Sequence, residues 1–552
     1  MSPTPATTGA ATADSTPAWP DTVDYVVIGA GAAGCVLASR LSEDPAVTVA
    51  LVEIGPGVVD PALTVPANTL AFWSSGHDSV WPAPTTPQAH AASRVVPLLT
   101  GRGVGGGSSV NAMGWFQGLP ADYDGWAADG AQGWSWADMQ PYFRRIEDHE
   151  LGASTHHAAG GPMSITSPRH THPLSMAFLA AGRHLGWPLS QDLNGAQRTG
   201  VALASSNIRD GARHSVVDGY LTPARGRDNL VVLHQTQVTR IEVDGNRAVG
   251  VHLRPAPAHG APARTQFLSA RRGVVLCAGA IRTPQLLMLS GIGAADELHA
   301  HDIPVVTDLP QVGRNLQDHP RVVLTWSLRD ADSQRDLSYQ QPEQYYELAR
   351  RGPLVLPRPS SGLPRRRRPH HRPTGATQHP PRSARRRRGR RHATHGGADG
   401  VLQVALVDPA SRGTVTLTSS DPSDPVAVDP RYLAEPGDRA RLRDGIRMTF
   451  DLFSTDALQQ LAGDPLTPLN LDDNSIDAFL DTNLISYHHP VGTARIGGPD
   501  NAVVSPTLNV HDIDQLWVAD ASVMPTITRA NTHAPTIAIA EHAADLVTRA
   551  KN

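Results

Sequence analysis

Cysteine is nearly missing from this sequence: Cys35 and Cys277 are the only two in 552 residues. Both lie in apolar strand or helix contexts, which argues against a disulfide framework or a cysteine-built metal site and makes a reducing cytoplasm the default compartment. Long apolar runs are missing too. None approaches the ~20 residues that a membrane-spanning helix needs. The first twenty residues are rich in Ala, Thr, Ser and Pro, with no basic stretch and no apolar stretch. Residues 1–21 therefore read as a disordered tail rather than a signal peptide. What is present is ordinary for a soluble globular chain, 40% hydrophobic and 18% charged, and its length suggests two domains, possibly interleaved.

Acid is missing from one place. Residues 355–395 hold 13 of the 48 basic side chains and no Asp or Glu, leaving 35 basic against 52 acidic residues elsewhere. An acidic remainder argues against a general nucleic-acid surface. The arginine- and proline-rich stretch at 355–396 also lacks apolar periodicity and aromatics, so it cannot bury enough surface to fold alone. Two readings stand: a basic arm for nucleic acid or anionic lipid, or a local frameshift, since Arg, Pro, Ala and Gly are what GC-rich codons give in any frame.

The organising stretch is Asp24-Tyr-Val-Val-Ile-Gly-Ala-Gly-Ala-Ala-Gly34. Val26, Val27 and Ile28 read as a buried strand. Gly29, Gly31 and Gly34, with Ala32 and Ala33 between, complete G-x-G-x-x-G at the mouth of a helix running to about Ser42. The first glycine allows the turn, the second lets backbone approach a pyrophosphate, and the third lets helix and strand pack. A second strand, 47–52, ends in Glu53, placed to accept ribose hydroxyls. In residues 60–97, Pro61, Pro66, Pro82, Pro84 and Pro87 exclude long helices. The run from Thr100 to Gly114, with six glycines and two serines, offers many free backbone N–H groups to a polar cofactor. Further on, 229–240 and 248–253 are strand-like, with Asp244-Gly-Asn246 as hairpin chemistry. Gly273–Cys277 reads as a buried strand and Arg282–Leu289 as a helix with Pro284 in its first turn.

Several longer motifs carry a resemblance. Gly103-x-Gly-Gly-Gly-Ser-Ser-Val-Asn-Ala-Met113, Asp122-Tyr-Asp-Gly-Trp126, Gly279 to Gly293, Gly313-Arg-Asn-Leu-Gln-Asp-His319, His488-His-Pro-Val-Gly-Thr493 and Leu516 to Pro525 are similar to the glucose–methanol–choline flavoprotein oxidoreductases over about 22–350 and 400–550. The resemblance implies an α/β fold, α+β overall: a Rossmann-like FAD-binding domain interleaved with a substrate domain built on an antiparallel sheet and helices. The FAD domain would take 22–155, 210–305 and 500–552, and the substrate domain 156–209 and 306–499. It implies that Arg102, Gly105, Ser109, Asn111, Ala112 and Met113 border the flavin. Val238 would lie near the adenine, Asp520 and Ala521 near the ribityl–pyrophosphate portion, and the helix at Pro535 would point its N-terminus at the flavin. Some relatives attach FAD through a histidine just before that loop's asparagine. Here Ser109 and Val110 precede Asn111, so non-covalent FAD is expected.

Function follows the same way. By resemblance His489 is the base and His533 the second active-site group, expected to orient the substrate oxygen and to lie by the flavin; His488 is left structural. The implied reaction is oxidation of a small, primary alcohol to an aldehyde by hydride transfer, as in choline and other alcohol dehydrogenases of the family, with oxygen, a quinone or another carrier reoxidising FAD. A lyase or photodecarboxylase on the same fold is the runner-up, against which Thr493-Ala-Arg495 offers no cysteine. A basic-arm binding protein on a dead flavin fold is the rival from another class. A metal site at 488, 489 and 533 lacks helical spacing and a carboxylate, and none is expected.

Overall fold

The computed structural model describes residues 19–169, 171–256, 265–329, 375–379 and 399–550. The expected tail falls almost wholly outside these residues, as does most of 355–396.

Thr22–Ile28 lies at the centre of a seven-stranded sheet, parallel to Gln266–Leu276 on one side and to Val49–Val52 on the other. Leu230–Leu233 continues the parallel order beyond Val49–Val52, and Leu516–Val518 pairs with the end of Gln266–Leu276. Central parallel strands are covered on both faces and read as continuous apolar runs; Val26 and Val27 are fully buried, as are Leu51 and Val275. The hairpin Thr236–Asp244 and Arg247–Pro255 turns at Gly245, φ 61°, and extends the sheet antiparallel. The stretch read as one strand from 229 to 240 is two, broken by Gln235 at φ 50°.

Ala32–Leu41 is the first helix, and it packs on the last, His533–Arg549. Between them Glu541, fully buried, accepts from Arg40 and from the Tyr220 hydroxyl at 2.7 Å. The Trp126 and Trp134 indoles donate to the carbonyls of Thr526 and Pro506, both at 2.9 Å. The early tryptophan motifs thus clamp the last fifty residues to the first domain segment.

The helix expected from Arg282 begins earlier, at Gly279, whose N–H donates to Asp520 Oδ2 at 2.8 Å. Pro284 therefore sits inside the helix, not in its first turn, and leaves the Ala280 carbonyl without its helical donor. The Thr493 hydroxyl fills that place at 2.6 Å.

A second, antiparallel sheet is built on Pro320–Leu328, which pairs with Asp399–Ala405, Ala462–Pro465 and Ile485–Ser486. Gly375–His379, inside the arginine-rich stretch, adds a strand against Asp399–Ala405. The sequence implies only that this stretch cannot fold alone, and backbone pairing to a neighbour explains how a segment without apolar pattern joins a sheet. A separate hydrophobic cluster surrounds this sheet, with Leu402, Val404, Leu442 and Ile446 at its centre.

Candidate active site

The glycine turn is shaped by close approaches. A β-carbon on Gly29, whose φ is 95°, would stand 2.6 Å from the Cys277 carbonyl oxygen, and one on Gly34 would stand 1.8 Å from that of Gly29. A β-carbon on Gly31 would meet nothing within 4 Å, because that position opens onto a cavity of about 380 Å³. Glu53 accepts from the N–H groups of Ala30 at 2.9 Å, Gly55 at 2.8 Å and Gly103 at 2.9 Å. A carboxylate has about four acceptor positions, so it joins three loops and keeps one position for a ligand.

The cavity brings together Gly29, Gly31, Ala32, Ala33, Glu53, Arg102, Asn111, Ala112, Met113, Val238, Asp520, Ala521, His489 and His533. Four expected residues do not line it. Gly34 faces the strand behind its helix, the Gly105 N–H donates to Ala30 O at 2.7 Å, the Ser109 hydroxyl donates to Val104 O at 3.0 Å, and Pro535 is buried in the last helix. Asp520 accepts from Gly279 N, from the Thr283 hydroxyl at 2.7 Å and from Ser522 N at 2.8 Å; burial nonetheless pushes its carboxyl up.

Two histidines meet at the other end. His489 Nδ1 is 3.0 Å from His319 Nδ1, and His489 Nε2 is 3.2 Å from Asn531 Nδ2. If the amide nitrogen donates, as its placement requires, Nε2 carries the lone pair and the proton sits on Nδ1, pointing at His319. The backbone N–H of His489 donates to Asp318 Oδ1 at 2.7 Å, and Asp318 also takes the hydroxyls of Ser486, at 2.5 Å, and Tyr432. His533 stands edge-on to Trp115, ring centroids 5.8 Å apart, with its buried Nε2 lacking a partner among the described residues. His488, with φ 64°, also lines the cavity, and its Nδ1 accepts from Leu99 N at 3.2 Å.

Burial holds all these imidazoles neutral. It pushes His319 down to about 4 and His488 and His533 down to about 3, with the charge of Arg321 adding to the effect at His488 and that of Arg213 at His533. His489 is depressed well below the ordinary value, first by burial and then by His319, His488 and Arg321.

Two family models, both described as GMC oxidoreductase, match residues 23–321 and 409–540. The chain belongs to the GMC oxidoreductase family. The arginine-rich stretch falls between the two matched segments. A GMC-type oxidoreductase of Mycobacterium tuberculosis is 40% identical over 95% of this chain and 99% of its own. Human mitochondrial choline dehydrogenase is 36% identical over 96% and 90%. Among solved structures, pyridoxine 4-oxidase from Mesorbium loti aligns with TM-score 0.81 at 32% identity, covering 95% of this chain and 98% of its own. A structure of Aspergillus oryzae RIB40 formate oxidase, concerned with FAD modification, aligns with TM-score 0.85 at 26% identity over 96% and 98%.

FAD is the cofactor of this GMC oxidoreductase, and the cavity fits it. The open position above Gly31 suits a diphosphate, and Glu53 retains an acceptor position for a ribose hydroxyl. The guanidinium groups of Arg102 and Arg282 lie 5.6 and 4.3 Å from the Trp81 ring, in reach of cation–π attraction. Burial lowers Arg282 to about 10 with no carboxylate opposing it, so the cavity wall carries positive charge available to a diphosphate. Among the described residues there is no group of three or more His, Cys, Asp or Glu that could hold a metal, and no helix long and apolar enough to cross a membrane.

His319, Arg321, Asn531 and Trp81 were not read as site residues. His319 closes a quoted motif, yet its contact with His489 spans 170 positions. Local pattern carries no signal for such a pairing, which the antiparallel bridge between Gln317 and Val491 brings about.

Proposed function

We propose that this chain oxidises a primary alcohol to the aldehyde, with His489 as the base and His533 as the group that positions the alcohol oxygen. The observation that carries this reading is the His319–His489–Asn531 row, whose His489 and Asn531 line the cavity that also holds the G-x-G-x-x-G turn. Its named relatives include a choline dehydrogenase and a pyridoxine 4-oxidase, which supports an alcohol as the donor.

Bound FAD would supply the hydride acceptor, its N5, for the hydrogen that leaves the alcohol carbon. The protein's part is proton handling. His489 is neutral with Nε2 unprotonated, so it takes the hydroxyl proton as that hydrogen leaves. The imidazolium so formed keeps its Nδ1–H directed at the His319 lone pair, which stabilises the charge and prevents the ring from turning. Asp318 fixes the backbone of His489, and Asn531, at a long 3.2 Å, yields its place at Nε2 to the substrate hydroxyl. His533, with an unfilled nitrogen, can donate to or accept from the same oxygen.

FAD would be held without a covalent bond, since Ser109 and Val110 occupy the positions before Asn111 and the Ser109 hydroxyl is engaged with Val104. The two domains would divide as 22–155, 210–305 and 500–552 for FAD against 156–209 and 306–499 for substrate; a hydrophobic cluster around Leu402 and Ile446 supports a distinct substrate core, but Ala91 and Val96 pack in it, and Met163, Ile165, Leu316, Val415 and Val491 pack in the FAD domain's cluster. The test is a visible spectrum of the purified protein before and after primary alcohols are added without air. Flavin bands that bleach support the proposal; flavin bands that no alcohol bleaches overturn it.

A further inference from the structure

Arg321 is a buried cation with no ion pair among the described residues, although the charge of Asp318, three residues earlier, acts on it. It is 6% exposed and lines the cavity beside the histidines. Its strand pairs on both sides, Arg321 facing Ala405 on one neighbour and Ile485 on the other, so its backbone is held. Nε donates to the Ser486 carbonyl at 3.0 Å, Nη1 donates to Gln403 Oε1, and the guanidinium carbon lies 4.8 Å from the Tyr487 ring. No donor bond from Nη2, and no ion pair, is found for it among the described residues. Asp318, three residues earlier, is taken up by Ser486, Tyr432 and the His489 backbone. Leaving a guanidinium buried and unpaired costs several kcal/mol in general, and such sites are commonly completed by a ligand.

The cavity decides which ligand. Among the described residues the acids lining it are Glu53 and Asp520, and both accept from the loops and helix at the dinucleotide end. At the histidine end the three lining imidazoles are neutral, and among the described residues Arg321 is the charged side chain that lines the cavity there, with the charge of Arg213 behind His533. A quaternary ammonium alcohol placed there would meet a like charge with no carboxylate to hold it. A carboxylate would meet the forked N–H face that guanidinium presents, at a buried position where a charge-assisted hydrogen bond is strong. The distance also fits. Tyr487 bridges the two groups, 4.8 Å from the guanidinium and 4.6 Å from the His489 ring, so the anion site and the base are separated by no more than a short carbon chain.

We propose that Arg321 is a specificity-determining residue and that the alcohol is a short hydroxy acid, its carboxylate on Arg321 and its hydroxyl at His489. This rests on the alcohol-oxidising reading above and narrows its substrate. The experiment measures flavin bleaching without air, in the FAD-loaded full chain, by 4-hydroxybutyrate, 1,4-butanediol and choline at matched concentrations. The acid should reduce the flavin with the highest kcat/KM, and butyrate should inhibit competitively where butyramide does not. In Arg321→Gln the acid-to-diol ratio of kcat/KM should fall by about 30-fold or more, the range expected for removing one partner of a buried ion pair. Arg321→Lys, which retains the charge without the fork, should recover part of that ratio.

Bleaching by the diol or choline in preference to the acid overturns the inference and leaves alcohol oxidation standing. An equal loss for acid and diol in Arg321→Gln also overturns it, since Arg321 would then act on the cofactor or the chemistry. If the variants lose FAD on purification, the inhibition of the wild-type chain decides: no difference between butyrate and butyramide sinks the assignment. No bleaching by any of the three, with flavin bound, overturns the alcohol reading itself and the inference with it.

Discussion

At the dinucleotide end of the cavity, Glu53 receives three backbone N–H groups and Asp520 three donors, two of them backbone. At the histidine end, among the described residues, His533 Nε2 has no partner and Arg321 has no ion pair. One end is finished within the protein and so keeps its shape whether or not a ligand is present. The other is left incomplete, which costs stability in the resting state and leaves polar groups free to act on what enters. Holding and reacting are separated along one cavity.

The largest effect should come from breaking the finished end. Gly34→Ala puts a methyl group at 1.8 Å from a backbone oxygen, and backbone cannot step aside. The helix must leave the strand, at a cost above about 3 kcal/mol. Protein purified from this variant should lack flavin absorbance and should not regain it on reconstitution.

Next is His489→Ala at the open end. Flavin reduction by alcohol should slow by about 10²- to 10⁴-fold, the usual contribution of a general base. FAD content, measured by absorbance after gel filtration, should be unchanged. Equal loss of rate and of FAD would make His489 part of the holding end and erase the contrast.

Acid should separate the two ends through stability. The unfolded chain protonates its histidines near 6.5, whereas His319 resists to about 4 and His488 and His533 to about 3. Over that interval the unfolded state binds more protons, so stability is lost as pH falls from 6.5 towards 3 and is fully present above it. The thermal midpoint should drop across this window, and the triple variant His319→Gln, His488→Gln, His533→Gln should show a shallower slope.

The smallest effect is Glu53→Gln. A glutamine has one carbonyl oxygen, and its amide nitrogen would face a backbone donor, leaving at least one N–H unpaired at about 1–3 kcal/mol. FAD should dissociate faster and the thermal midpoint should fall modestly, with the reduction rate of the flavin that remains bound little altered.

The finished end was also the legible one. Strand, glycine turn, helix, strand and Glu53 lie within about thirty consecutive residues, and their order alone implies the chemistry. The precise duty of Glu53 was not legible, because Gly103 comes from a loop fifty positions away. His489 and His533 could be read only through their motif neighbours. His319 and Arg321 take their meaning from folding of the antiparallel sheet against the 486–493 loop, a nonlocal pairing that no periodicity announces. Gly375–His379 went unread for a related reason: its strand is defined by the backbone of Asp399–Ala405, and its own side chains carry no pattern.

The Pro284 helix has an evolutionary consequence. A proline that merely weakened a helix could be exchanged for alanine at any time. Here the bond that Pro284 forfeits is supplied by Thr493, from the loop that carries His489. Alanine at 284 would restore the helical donor to Ala280 and leave the threonine hydroxyl competing for the same carbonyl, while valine at 493 would strand that carbonyl in the interior. The two positions, more than two hundred residues apart, are therefore energetically coupled through one carbonyl. The spacing between the cofactor helix and the base is inherited as a pair of residues rather than as either one.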